Sequence, residues 1–153
     1  MYRAIQKGLE VVNDRYLNDS ELEVIDKYVA TFPVRLKTHQ LLRQNADKIV
    51  NEALQEFART ESTVLAQHRA TCIRDLHFVL QMVANVVIND NQPGFTDSFL
   101  WVQNIMRSVQ KEVLAAKGYK LMMQAIEKHL PAECSAIVKP YLKQAIDMVS
   151  LPV

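Results

Sequence analysis

Apolar residues recur at strict three- and four-residue spacing through the middle of the chain, and this periodicity most constrains the fold. Between about residues 63 and 90 the stripe consists of Ile73, Leu76, Leu80, Val83 and Val87. Such positions lie on one face of an α-helix, because the helix has about 3.6 residues per turn. The spacing predicts a long central helix with one face in the core.

Glycine is rare, and proline occurs where helices can begin or end. The 153 residues include three glycines and five prolines, which favours helices because both residues disrupt helix interiors. No stretch of useful length alternates as a strand does. The sequence predicts an all-α fold of roughly seven or eight helices with globin-like packing.

Capping residues predict the helices of the N-terminal half. Two short helices lead the chain, over residues 2–13 and about 20–31, the second with Ser20 as N-cap and Glu23 completing a capping box. Pro33 then precedes a helix of several turns, whose apolar stripe begins at Leu36 and ends at Phe57. Pro33 is therefore expected to separate the second helix from the third.

Turn residues predict the helices of the C-terminal half. The turn "NDNQPGF" precedes a helix capped by Thr96 or Asp97 that runs to about residue 116. Gly118 is expected to break that helix, and "YKLMMQAIEKHL" forms the next one. Pro131 suits the first turn of the last helix, and Pro140 should bend or split it.

Composition indicates one folded domain over residues 1–153 and excludes several partners. The 18 basic and 17 acidic residues nearly cancel, so there is no electrostatic basis for binding nucleic acid. The longest apolar run, "MVANVVI", is shorter than the roughly 20 residues of a membrane-spanning helix, and no secretory signal is recognised. We expect a cytoplasmic protein, in which Cys72 and Cys134 form no disulfide.

The segment "HRATCIRDLHF", residues 68–78, places reactive side chains on the central helix. At 100° per residue His68, Cys72 and Asp75 share one strip, and Arg69 and Arg74 border it. Such a strip suits a long ligand with an electrophilic end, central N–H groups and acidic arms. A buried cysteine beside a surface ion pair is the commoner interpretation of such residues, and the residues alone leave both open.

Other kinds of site have weaker support in the sequence. His68 and Cys72 are spaced for a metal, but zinc requires four ligands and no second cluster is evident. No phosphate loop, nucleophile elbow or metalloprotease motif occurs, so we predict no catalytic residue and no enzyme. Trp101 is either part of a pocket wall or, more often for such a residue, part of the core.

Three segments resemble the phycobilisome proteins. "ATCIRDLHFVLQMVANVVINDN" resembles their chromophore-attachment pattern A-x-C-x-R-D. "DRYLNDSELEVIDKYV" is similar to the family's R-Y-L-x-x-x-E-L-x-x-I segment, and "RLKTHQLLRQNADKIVNEA" to the helix that follows. The matches keep the family's order over about residues 14–91, and the allophycocyanin branch is the most similar.

The resemblance implies a fold and a ligand. The fold is a globin-like core of six or more helices over residues 33–153, preceded by a helical hairpin, residues 1–31, that docks a partner. The ligand is a phycocyanobilin-type open-chain tetrapyrrole, or bilin, joined to Cys72 by a thioether. Asp75 would accept hydrogen bonds from pyrrole nitrogens, and Arg74 would pair with a propionate. Arg69 would serve the other propionate, with His68 beside it.

The chain also departs from the family pattern. It lacks the P-G-G-N-A-Y type loop ahead of the attachment helix, and "INDN" replaces the usual Ala-Gly-Asp turn. After the aspartate, Phe78 keeps an aromatic ring that is expected at the site, while Gln81 replaces an arginine.

The resemblance implies a light-harvesting or phycobilisome-associated subunit at the cytoplasmic face of the thylakoid membrane. Its partner would be a homologous subunit or a second copy, and phycobilisome core or photosystem components are further candidates. An alternative is a pigment-free regulatory protein in phycobilisome or photosystem assembly, degradation or acclimation. A globin-like haem sensor using His68, His77 or His129 is the third hypothesis.

Overall fold

Helices make up nearly all of the part of the chain that the structure describes. The computed structural model describes residues 5–6 and 16–151. Residues 5–6 are helical, and most of the predicted first helix lies outside the described residues. Six longer helices follow: α1 (Asp19–Gln44), α2 (Ala46–Ala58), α3 (Ser62–Asn89), α4 (Gln92–Ser108), α5 (Glu112–His129) and α6 (Ala132–Ser150). No strand occurs among the described residues, and the all-α prediction is confirmed.

The N-cap of α1 lies two residues before the predicted one. The Asn18 side chain accepts a hydrogen bond from the Glu21 N–H at 3.0 Å, and the Glu21 carboxylate accepts one from the Asn18 N–H at 2.9 Å. This pair forms the capping box, so the assignment to Ser20 and Glu23 was wrong. Asn18 with Glu21 and Ser20 with Glu23 both have the spacing of a capping box, and the earlier pair starts the helix two residues sooner.

Pro33 lies inside α1, so the predicted break there was wrong. Proline has no N–H, so one backbone hydrogen bond of the helix is missing at Pro33, and the helix tolerates this loss on its exposed side. Arg35 stabilises the helical turns around Pro33. Its guanidinium donates to the Tyr28 carbonyl at 2.8 Å and to the Thr31 hydroxyl at 3.2 Å. The continuous helix therefore crosses the predicted boundary between residues 1–31 and the core. The partner-docking role of residues 1–31 stays a prediction.

The break falls at Asn45 instead, where the sequence predicted a continuous helix. Asn45 separates α1 from α2, with φ −103° and ψ 9°. Its side-chain amide donates to the Leu41 carbonyl at 2.9 Å. Asparagine often competes with helical backbone bonding in this way, which explains why apolar periodicity alone missed the boundary.

The C-terminal helices also begin and end away from the predicted residues. α4 begins at Gln92 rather than near Thr96, because Asn91 caps it by accepting from the Gly94 N–H at 3.2 Å. It ends at Ser108, and the chain turns at Gln110, whose φ of 54° lies in the left-handed region.

Two residues that were expected to interrupt helices lie inside them. Gly118 is buried within α5, where an added Cβ would lie 3.3 Å from the Leu76 side chain. The glycine thus lets α5 approach α3 closely, which outweighs its poor helix propensity. Pro140 lies within a continuous α6, so it does not split that helix.

One hydrophobic core joins all six of these helices around α3. Four residues of the predicted stripe, Leu76, Leu80, Val83 and Val87, are buried, whereas Ile73 is only partly buried. The other helices contribute at least one fully buried side chain each: Leu42, Ile49, Phe99, Met122 and Leu142. Burial of each such side chain contributes roughly 1.5–3 kcal/mol, so the core holds α3 firmly in place.

By length and composition, α3 would also suit a membrane-spanning helix. Its most apolar 18-residue window has a mean hydropathy of 1.3. The sequence analysis considered only the longest uninterrupted apolar run and therefore missed this window. The core helix of a soluble protein meets the same criteria. In this chain the apolar face of α3 packs into the hydrophobic core.

Candidate functional site

A cavity of about 600 Å³ lies beside α3, and several residues of the hydrophobic core form part of its wall. Its walls come from α2, α3, α4 and α5, and most of the lining side chains are apolar. Pockets of roughly 300–1,000 Å³ with apolar walls and a few polar groups are typical of small-molecule and cofactor sites. The cavity is therefore large enough for an elongated organic ligand.

The cavity brings together most of the residues predicted to form the site. Five of them line it: His68, Cys72, Arg74, Asp75 and Phe78. Arg69 is exposed on α3 and lies outside the cavity wall. The charged strip predicted on the central helix thus faces the cavity except at one flanking arginine.

α3 is kinked at His68, whose φ of −129° and ψ of 23° are not helical. The regular rotation of 100° per residue therefore holds only after this residue, from Arg69 to the end of the helix. His68 still lines the cavity, but helix periodicity is not the reason.

Cys72 is a free, half-buried thiol. Burial raises its pKa, and the Asp75 carboxylate one turn away raises the pKa further; Lys111 acts in the opposite direction. The thiol is thus protonated at neutral pH. A protonated thiol is a poor nucleophile, because the thiolate is the reactive form.

Arg74 and Asp75 form an exposed ion pair at the edge of the cavity. The Arg74 Nε and an Asp75 carboxylate oxygen are 3.4 Å apart, and their side chains are 76% and 39% exposed. Exposed pairs contribute at most about 1 kcal/mol to folding. Either group can therefore exchange its partner for a ligand at little cost.

Two exposed aromatic rings stand together on the cavity wall. Phe78 of α3 and Trp101 of α4 pack edge to face, with ring centroids 6.3 Å apart and planes at 66°. Trp101 is 60% exposed, so the pocket interpretation is correct and the core interpretation was wrong. Exposed aromatic rings at a cavity offer flat, apolar contact area to a ligand.

Tyr119 is a cavity residue that the sequence analysis missed. Its ring is buried, lines the cavity and packs edge to face on Phe99. Burial raises the pKa of its hydroxyl, and the Asp75 carboxylate adds to the effect. The small residues Ala115 and Gly118 line the cavity beside it. The sequence analysis missed this wall because Gly118 was expected to break the helix, which separated Ala115 from Tyr119.

Two of the three candidate haem ligands lie elsewhere. His77 faces the Asp47 carboxylate at 3.3 Å, and His129 is hydrogen-bonded to Glu52. Only His68 of the three lines the cavity. Within residues 5–6 and 16–151, no group of three or more metal-ligating side chains occurs.

Comparison with known proteins shows the family of this chain. The phycobilisome protein family model matches residues 12–149. The allophycocyanin alpha chain of Thermosynechococcus vestitus is 28% identical over 137 residues, which cover 83% of this chain and 85% of the relative. That of Galdieria sulphuraria is 29% identical over 132 residues, 80% and 82% of the two chains. That of Cyanophora paradoxa is 30% identical over 116 residues, 69% and 72%. These matches confirm the resemblance, and the chain belongs to the phycobilisome protein family.

Proposed function

We propose that this chain is a bilin-binding subunit that serves light harvesting or another role at the phycobilisome, with Cys72 as its attachment residue. The observation that carries the proposal is the cavity that unites Cys72, Arg74 and Asp75 with apolar walls. The names of its relatives, allophycocyanin alpha chains, support the same class of function. We assign no catalytic role to any residue.

Cys72 would form the covalent link. Its sulfur adds to a vinylic carbon at one end of the ligand, and the thiol proton passes to the neighbouring carbon, so the step requires no oxidant or reductant. Since burial and Asp75 raise the thiol pKa, the uncatalysed reaction is expected to be slow. A lyase that positions the bilin and removes the proton would overcome this.

Asp75 and Arg74 would orient the ligand. The Asp75 carboxylate accepts charge-assisted hydrogen bonds from pyrrole N–H groups, and the planar Arg74 guanidinium suits a propionate. Their mutual contact at 3.4 Å is exposed, so a ligand can replace it. A bound bilin supplies absorption of visible light, and these contacts would hold it in an extended form.

The apolar walls would keep the ligand rigid. Phe78, Trp101 and Tyr119 come from three different helices and line the same cavity. Rings fixed by packing restrict twisting of a flat ligand, and restricted twisting favours fluorescence and energy transfer over relaxation.

α1 offers a surface for a homologous subunit. Leu22, Val29, Phe32 and Leu36 are large, exposed apolar residues. Their spacing places them on one face of α1, directed away from the buried Thr38 and Leu42. Such a stripe is typical of a helix that packs against a partner helix. We infer that it docks a family subunit or a second copy, at the cytoplasmic face of the thylakoid.

Co-expression with a bilin-synthesis pathway and a suitable lyase tests the proposal. We expect visible absorbance that survives denaturation and a zinc-dependent fluorescent band on a denaturing gel. Cys72→Ala should abolish both. Cys134→Ala is the matched control and should retain them, because Cys134 is wholly buried in the core.

Three other outcomes would each contradict the proposal in a different way. Colour that is lost on denaturation would show non-covalent binding. A chain that stays colourless with several bilins and lyases would support the pigment-free regulatory protein. A Soret band from co-purified haem would support the sensor hypothesis.

A further inference from the structure

Two lysine or arginine side chains line the cavity beside α3, and one of them is not on α3. Arg74 was predicted from its place beside Cys72, whereas Lys111 lies just before α5. Arg69, the other predicted cation, lies outside the cavity wall. The cavity therefore has a second positive charge, but it comes from a different part of the chain.

The backbone holds Lys111 at this place. Its N–H donates to the Met106 carbonyl at 2.8 Å, which ties the start of α5 to the end of α4. Gln110, with a φ of 54°, makes the turn between them. The Lys111 ammonium acts electrostatically on the Cys72 sulfur, lowering the pKa of that thiol. Lys111 and Cys72 also line the same cavity, so one elongated ligand can contact both residues.

Lys111, unlike Arg74, forms no ion pair with an acidic side chain among residues 16–151. Arg74 already contacts Asp75, the acidic residue on the cavity wall. The neighbouring Glu112 lines a different cavity. Among the residues that line the cavity, Asp75 balances the charge of Arg74, and the positive charge of Lys111 is left unbalanced. An anionic group on a ligand would balance it.

We propose that Lys111 binds a carboxylate arm of the ligand in this cavity and takes the role that the family pattern gives to Arg69. Arg74 would hold the other arm. The cavity would then select an elongated, largely apolar dicarboxylate over its uncharged analogue. Lys111 is a positioning residue in this scheme, and the identity of the ligand as a bilin rests on the proposed function.

The charge of Lys111 can be tested without any bilin, by alkylating Cys72. Iodoacetate is anionic and iodoacetamide is neutral, and both react with the thiolate. Their rate ratio therefore cancels changes in the thiol pKa and reports attraction of the anion. We expect Lys111→Gln to lower the iodoacetate-to-iodoacetamide ratio by about three- to tenfold at low salt. Cys72→Ala gives the background from buried Cys134.

Two further variants make this test specific. Lys120→Gln changes an exposed lysine of α5 that lines the other cavity, and it should leave the ratio unchanged. Arg69→Gln should also leave the ratio near the wild-type value. A drop in the ratio for Arg69→Gln with none for Lys111→Gln would overturn the assignment.

Equilibrium binding then separates this inference from the proposed function. Biliverdin and its dimethyl ester are titrated into Cys72→Ala protein, with and without Lys111→Gln, and followed by visible absorbance. We expect the lysine substitution to weaken biliverdin binding about tenfold and to leave ester binding unchanged. If Cys72→Ala protein binds biliverdin and Lys111→Gln has no effect, the inference fails and the proposed function stands. If neither compound binds and no bilin attaches to the wild-type chain, the proposed function fails, while the alkylation ratio still decides whether Lys111 attracts anions.

Discussion

At the scale of single residues, the Asp75 carboxylate acts against the reactivity of the Cys72 thiol. Asp75 is suited to bind pyrrole N–H groups, yet its negative charge raises the pKa of Cys72, in addition to the effect of burial. The residue that would orient the ligand therefore also suppresses premature reaction of the thiol. Lys111 partly offsets this effect.

Removing the Asp75 charge should make Cys72 more reactive. We expect Asp75→Asn to lower the thiol pKa and to speed alkylation by iodoacetamide about two- to tenfold at about pH 8. Mass spectrometry of the labelled peptide measures the rate. Asp47→Asn, at an exposed carboxylate outside the cavity wall, should leave the rate unchanged. Equal rates for wild type and Asp75→Asn would show that the carboxylate does not control the thiol.

At the scale of helices, a buried arginine ties α1 to the end of α3. Arg35 is only 4% exposed and donates to the Ile88 carbonyl at 2.5 Å, in the last turn of α3. It also donates to the Tyr28 carbonyl, one turn before Pro33, and lies over the Tyr28 ring. A cation at a helix C-terminus is favoured by the helix dipole. This one residue thus fixes both α1 and the helix that carries the site.

Loss of the Arg35 guanidinium should destabilise the protein. We expect Arg35→Met to lower the free energy of unfolding by about 2–3 kcal/mol, because the partly buried carbonyls of Tyr28 and Ile88 lose a charged donor. Chemical denaturation followed by circular dichroism measures the change. Arg43→Met alters an exposed arginine of the same helix and should cost less than about 0.5 kcal/mol. Similar losses for the two variants would refute the structural role of Arg35.

At the scale of the whole molecule, the ligand cavity and the apolar stripe of α1 are distinct surfaces. None of the stripe residues lines the cavity. Association with a partner subunit and occupation of the cavity can therefore be disrupted separately. Substitutions in α1 should leave the chemistry of Cys72 intact.

A charge in the α1 stripe should weaken subunit association. We expect Val29→Glu to reduce binding to a homologous subunit, or to a second copy, at least tenfold, because Val29 is 61% exposed and a buried interface disfavours an unpaired charge. Light scattering after size-exclusion chromatography measures the assembly. Ala30→Glu adds the same charge at the next, exposed residue, off the stripe, and should have little effect. Full assembly of Val29→Glu would exclude this surface.

The sequence by itself determined the helical class, the central helix and the proximity of three residues that line the cavity, Cys72, Arg74 and Asp75. These features are local: periodicity defines a helix, and residues within one turn of it stay together. Helix ends were less predictable, since Asn18 and Ser20 fit the same capping pattern and Arg35 stabilises the helix around Pro33.

The tertiary structure alone decided which other residues line the cavity. Trp101, Lys111 and Tyr119 belong to α4, the turn before α5, and α5, and only the packing of these segments against α3 brings them to the same cavity. Packing also left Arg69 outside the cavity wall, although it is close in sequence to Cys72. Local spacing orders residues along one helix, whereas side-chain packing between helices determines which of them share a binding site.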